Sequence, residues 1–197
     1  MALPVTVHAS LCHDFFQETD LLIADSSLPK LELLLEGLSS DCALALIEPS
    51  HSPLALAMAV ARSVRLERLH VMGHGQPGAV QLGRTRLRQR HLRCLPSLSA
   101  GSRLQAIYLW SCSTGATPLG REFLQTLADL SGASVFGADG PIGHASRGGN
   151  WALSVRADPR QGRVSPRSSS KGPRRKKRRS ASMPAAPPLP IPETSSA

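Results

Sequence analysis

Acyl transfer by a cysteine needs a thiol, a proton acceptor beside it and donors for the oxyanion, and the sequence offers one set of residues for these roles. Cys112 follows the apolar run Ala106-Ile107-Tyr108-Leu109-Trp110, and His74 follows the shorter run from Arg68 to Met72. Only a few per cent of an ordinary thiol, with a pKa of about 8.5, is ionised at neutral pH, so a nucleophilic cysteine requires a neighbouring base. His74 is the candidate base and Cys112 the candidate nucleophile. Gly73 and Gly75 leave the space beside the imidazole open, and the N–H groups of Gly75 and Cys112 are candidate donors to a developing oxyanion. Asp25 closes the run Leu21-Leu22-Ile23-Ala24. It is either a substrate-pocket residue that selects a basic group or, the more frequent use of an aspartate before two serines, a cap for the next helix.

Packing competes with chemistry at these positions. Cysteine is among the residues most often buried, and one that ends an apolar strand can simply fill core. Cys12, Cys42 and Cys94 are expected to do so, His70 to be a core or face residue within its strand, and His144 to have no role. No two of the four cysteines form a Cys-x-x-Cys pair, so neither a zinc knuckle nor a thioredoxin-like motif is written, and no cofactor or metal is expected. A serine alternative takes Ser111 to Gly115 as a variant nucleophile elbow, with Ser113 attacking and Asp139 and His144 completing a triad. It lacks the elbow's first glycine, and its Asp and His lie too close in sequence to come from successive strand ends.

Convergence of residues so far apart requires a sheet. From Asp20 the chain alternates short apolar runs with helical spacing: a strand at Leu21 to Ala24, a helix from Pro29 to Leu38, a strand from Ala43 to Ile47, and a helix from Leu54 to Val64 opened by Ser52-Pro53. A third strand from Arg68 to Met72 leads into a turn at Gly73 to Gly78, a short hairpin strand from Ala79 to Leu82, and an arginine-rich helix from Leu87 to Leu98 that Pro96 ends or kinks. The strand Ala106 to Trp110 precedes a helix from Pro118 to Leu130, with Leu119, Phe123, Leu127 and Leu130 on one face. Strands at Ala133 to Phe136 and at Trp151 to Val155 close the pattern. Strands separated by helices predict an α/β domain with a mainly parallel sheet and right-handed crossovers. Reactive groups in such sheets collect at the carboxyl ends of strands, where Asp25, His74 and Cys112 all fall.

The blocks Leu69-His70-Val71-Met72-Gly73-His74-Gly75 and Ile107-Tyr108-Leu109-Trp110-Ser111-Cys112-Ser113-Thr114-Gly115 resemble the His-Gly and Ser/Ala-Cys blocks of clan CD cysteine peptidases, especially the caspase-like CHAT type. Ile23-Ala24-Asp25-Ser26-Ser27, Val80-Gln81-Leu82-Gly83 and Gly148-Gly149-Asn150-Trp151 look like an uncharacterised bacterial domain that begins large surface proteins with cadherin-like or other adhesin repeats. The resemblance spans Leu21 to Leu153. It implies a caspase-like three-layer sandwich, His74 as general base, Cys112 as nucleophile, and an acyl-transfer reaction on a peptide or protein. The expected function is therefore that of a caspase-like cysteine hydrolase, active or degenerate. The alternative is a non-catalytic interaction domain of a bacterial surface or adhesin-type protein. Two departures from the surface-protein pattern are the missing adhesin repeats and the strongly basic stretch Arg84 to Arg93, expected to be an anion-binding surface or a solvated face.

Charge divides the chain. Up to Val155 there are twelve Lys or Arg and twelve Asp or Glu, whereas from Arg156 onward eleven basic residues face only Asp158 and Glu193, so the net charge of +9 belongs to the last segment. This segment is Arg-, Ser- and Pro-rich and poor in apolar residues, so it is expected to be disordered. Its six consecutive cations, Arg174 to Arg179, with no aromatic residue to stack on bases, would attract nucleic acid or another anionic surface without reading sequence. The expected organisation is an arm or loosely attached strand over residues 1–19, a folded domain over 20–155 and a tail over 156–197. No run approaches a membrane span of about 20 apolar residues, and Met1 to His13 lacks the pattern of a secretory signal. A soluble protein is expected, cytoplasmic or exported without an N-terminal signal.

Overall fold

Uninterrupted apolar runs of four or five residues suit strands covered on both faces, and three such runs, together with Leu69-His70-Val71-Met72, fill the middle of one sheet. The computed structural model describes residues 6–7, 19–36, 42–48, 66–93 and 103–160. In chain order the elements are β1 (Thr6–Val7), β2 (Asp20–Asp25), α1 (Leu31–Leu35), β3 (Cys42–Ile47), β4 (Arg68–Met72), β5 (His74–Gln76), β6 (Ala79–Leu82), β7 (Thr85–Arg88), α2 (Gln89–Leu92), β8 (Ala106–Trp110), α3 (Thr117–Ser131), β9 (Ser134–Gly137), a 3-10 turn (Ala145–Arg147) and β10 (Val155–Ala157). The main sheet has the order β1-β3-β2-β4-β8-β9-β10, and β5-β6-β7 form a separate antiparallel sheet. Every pairing in the main sheet is parallel except β9 with β10. The α/β class with a mainly parallel sheet is thus the observed one.

Alternation along the strands sorts the core into two layers. Leu21, Ile23, Leu69, Val71, Ile107, Leu109 and Val135 face one side, where Phe123, Leu124 and Ala128 of α3, Leu92 of α2, and Val80 and Leu82 of β6 cover them. Leu22, Ala24, Met72, Tyr108, Trp110 and Phe136 face the other side, covered in part by Leu31 of α1, Trp151 and Leu153. The connections after β2 and after β4 therefore run to opposite faces of adjacent strands, the arrangement that opens a crevice at the carboxyl ends.

Thr6 and Val7 pair in parallel with β3, so part of the N-terminal segment is an attached edge strand. Three expectations change. The arginine-rich segment is a strand as far as Arg88, and the described helix covers only Gln89–Leu92. A two-residue turn at Gly83-Arg84 returns the chain against β6, and Leu87 packs into the core opposite Val80, so the period of two prevails over helical spacing. The last strand is Val155–Ala157, because its pairing begins at Gly137↔Val155; Trp151 and Leu153 pack without pairing. In α3 the buried stripe runs through Phe123, Leu124, Leu127 and Ala128, while Leu119 is 56% exposed. The helix expected from Leu54 to Val64, and the tail beyond residue 160, lie outside the described residues.

Candidate functional site

The carboxyl rim is built from four turns: the ends of β2, β4 and β8, and the loop from Asp139 to Asn150 that follows β9. Gly73 turns the chain from β4 into β5, so His74 opens the small sheet directly above the rim. Gly75 then packs against the main chain at Cys112. An ideal Cβ on residue 75 would lie 2.6 Å from Cys112 N and 2.7 Å from Ser111 C, closer than side-chain carbons approach backbone. Only glycine fits, and the fit fixes β5 against the turn after β8. The N–H of Gly78 also donates to Thr114 O at 3.2 Å, a second stitch between the same segments.

Cys112 is half-buried, with its sulfur held by a residue that sequence inspection passed over. Ile142 N donates toward Cys112 Sγ at 3.4 Å, and Ile142 O accepts from it at 3.8 Å. The loop carrying Ile142 is fastened by Ser113 N to Gly140 O and Gly115 N to Ala138 O, both at 2.8 Å. The only signal in the sequence was Gly140-Pro141-Ile142-Gly143, a turn composition that gives no direction for a backbone donor. Ser111, immediately before Cys112, is buried with a hydroxyl that has no hydrogen-bond partner among the described residues.

His74 is exposed and lies in a cross-strand row with Gln81 and Arg86. No hydrogen bond joins its imidazole to the thiol of Cys112; what adjoins Cys112 directly is its neighbour Gly75. Asp25 takes a different place from either role expected for it. It is 0% exposed, so it does not face a substrate, and α1 begins only at Leu31 with Lys30 as its cap residue. Its carboxylate accepts from Ser27 N at 2.9 Å and Ser27 Oγ at 2.7 Å on one oxygen, and from Gly83 N at 2.8 Å on the other. Asp25 therefore ties the end of β2 to the tip of the β6–β7 hairpin. Such charge-assisted bonds are what allow a carboxylate to be buried at all.

The remaining candidates separate from the rim. His70 stacks on Tyr108 with ring centroids 4.8 Å apart, and its Nδ1 accepts from Trp110 Nε1 at 3.1 Å. Burial pushes its pKa down to about 4, aided by the Arg68 charge and opposed by Asp20, so it is a neutral core acceptor. His144 bonds Ser146 and caps the 3-10 turn, while the N–H of Asp139 donates to Ser154 Oγ at 3.4 Å and no hydrogen bond joins Asp139 to His144; the Ser113 triad is not assembled. Among the described residues no cluster of three metal-ligating side chains occurs, and no helix is long and apolar enough to cross a membrane.

An open α/β sheet with a half-buried cysteine and a histidine-glycine turn on its carboxyl rim defines the class of this domain. Residues 21–170 match the family described as a domain of unknown function, DUF4347, and the chain belongs to that family. No curated protein matches the chain.

Proposed function

We propose that the domain is a caspase-like cysteine hydrolase acting on a peptide carbonyl. The Cys112 thiol gives its proton to His74, and Sγ bonds to the carbonyl carbon. The charge on the oxygen is met by the N–H groups of Gly75 and Cys112. Collapse expels the amine, which takes the proton from His74. Water then cleaves the thioester with His74 again as base. The observation that supports this reading is the close packing of Gly75 against the main chain of Cys112, with the N–H of Ile142 directed at the sulfur. The exposed imidazole, not hydrogen-bonded to the thiol, favours a second reading: a domain that keeps the frame without the chemistry, serving as an interaction module of an adhesin-type bacterial surface protein, with the basic tail drawing anionic partners.

Alkylation by iodoacetamide, followed residue by residue, separates the two. Under the hydrolase proposal Cys112 reacts at least about tenfold faster than Cys42 at neutral pH, and His74→Ala removes the difference. Equal, slow labelling of both cysteines, or a Cys112 rate indifferent to His74, overturns it.

A further inference from the structure

Among the described residues the β5-β6-β7 sheet leaves one edge unpaired, and that edge is strongly basic. Its outer strand, β7, pairs on one side with β6, and no described strand meets its other side. An open groove of about 540 Å³ lies along it, lined by Arg84, Arg86, Arg88 and Arg90 together with Gln81 and His91. Among the described residues Arg84, Arg86 and Arg88 have no carboxylate partner; Arg86 donates to Gln81 Oε1 at 3.2 Å, and Glu122 of α3 bonds Gln89 and stands 3.9 Å from Arg93. Uncompensated guanidinium groups sharing a groove repel one another, which a solvated face relieves only in part and an anionic ligand relieves directly.

The backbone says what shape that ligand has. Arg88 donates its N–H to His91 Nδ1 at 3.2 Å, so this N–H turns away from β6. Outward-turned residues recur at every second position of an antiparallel ladder, so Arg86 also presents its N–H and C=O to the open side. Arg86 and Arg88 are thus two residues apart, about 7 Å along the strand, with side chains on one face. A partner strand with carboxylates at alternate positions repeats at the same spacing. Like charges on the edge meanwhile discourage pairing with a second copy of this chain.

We propose that β7 is a docking edge for an acidic extended peptide, which adds as a fourth strand and sets alternate Glu or Asp side chains against Arg86 and Arg88. Main-chain bonds to Arg86 give the register, and the guanidinium groups select the acidic sequence. The row His74–Gln81–Arg86 puts this edge two strands from the histidine, roughly 10 Å across the sheet. The readouts below are of binding alone, so they stand or fall independently of hydrolysis at Cys112.

The test uses the full chain and a fluorescent hexapeptide with glutamates at alternate positions, followed by anisotropy at about 0.15 M salt, where exposed long-range attraction is largely screened. The expected result is saturable binding, at least about tenfold weaker for the glutamine counterpart and for the Arg86→Gln/Arg88→Gln protein. Binding should also be lost when alternate peptide nitrogens are methylated. Binding unchanged in the double variant would assign the peptide to the basic tail and overturn the proposal. So would an N-methylated peptide that binds as well as its parent, or tripolyphosphate that binds more tightly and displaces the peptide. Should the double variant fail to fold, the methylated peptide decides on the unaltered protein.

Discussion

A methyl group at position 75 tests how the rim is held together. The Cβ of Gly75→Ala would stand 2.6 Å from Cys112 N and 2.7 Å from Ser111 C, whereas carbon contacts settle at about 3.5–4.0 Å. The strand β5 and the turn after β8 would have to part by roughly 1 Å. Both partners are main chain, so no rotamer change relieves the contact. Overpacking of this kind costs about 1–3 kcal/mol, and in a chain of this size each kcal/mol lowers Tm by about 2–4 °C. A cost near 2 kcal/mol therefore corresponds to a fall of about 4–8 °C in a thermal melt followed by circular dichroism. Gly140→Ala is the control, because a Cβ there meets nothing within 4 Å, and its Tm should stay within about 2 °C of the parent. If Gly75→Ala melts with the parent and the control, Gly75 does not fix the histidine turn against Cys112.

Asp25→Ala leaves the N–H of Gly83 and both donors of Ser27 without their acceptor. Ser27 is exposed and water can meet its donors, so the buried N–H of Gly83 carries the cost; at about 1–3 kcal/mol for a buried group left unmet, urea unfolding should show a loss of about 1–3 kcal/mol, and a loss below about 1 kcal/mol would mean the tie to the hairpin is not structural. His70 makes stability depend on pH. Its pKa falls from 6.5 to about 4 on folding, so the unfolded chain takes up the proton first. The stabilising contribution is whole above pH 6.5 and is lost as pH falls toward 4, about 3 kcal/mol in all. His70→Phe preserves the ring stack and should flatten the decline over that window by close to one proton; an unchanged slope refutes the assignment.

The central strands were legible because they are apolar on both faces, and burial of every residue of Ala106–Trp110 is the physical counterpart of that run. The positions of His74 and Cys112 at strand ends were legible for the same reason: glycine and serine follow apolar segments where a chain leaves a sheet. The β7 strand was not, since Arg86 and Arg88 alternate with Thr85 and Leu87 over only four residues, a stretch too short for its period of two to stand out beside a helical start at Gln89. Asp25 was misjudged because Asp-Ser-Ser describes an Asx-type turn and a helix cap equally well; the partner that decides, Gly83 N, lies far along the chain. Ile142 was invisible because its part is played by backbone, which carries no residue signature.

The same backbone ties bear on both proposals. The hairpin sheet is anchored to the main sheet through Asp25 to Gly83, through Gly75 against Cys112, and through Gly78 N to Thr114 O. Anchors at its tip and along its inner strand leave β7 little freedom to move relative to the Cys112 turn. An acidic strand docked on β7 would then be delivered on a fixed platform, with its distance from the thiol set by the strand spacing of the sheet rather than by a flexible loop. Rigid delivery favours only those segments whose continuation reaches the rim, so a docking edge of this kind would restrict the choice of peptide without adding a contact at the reacting atoms.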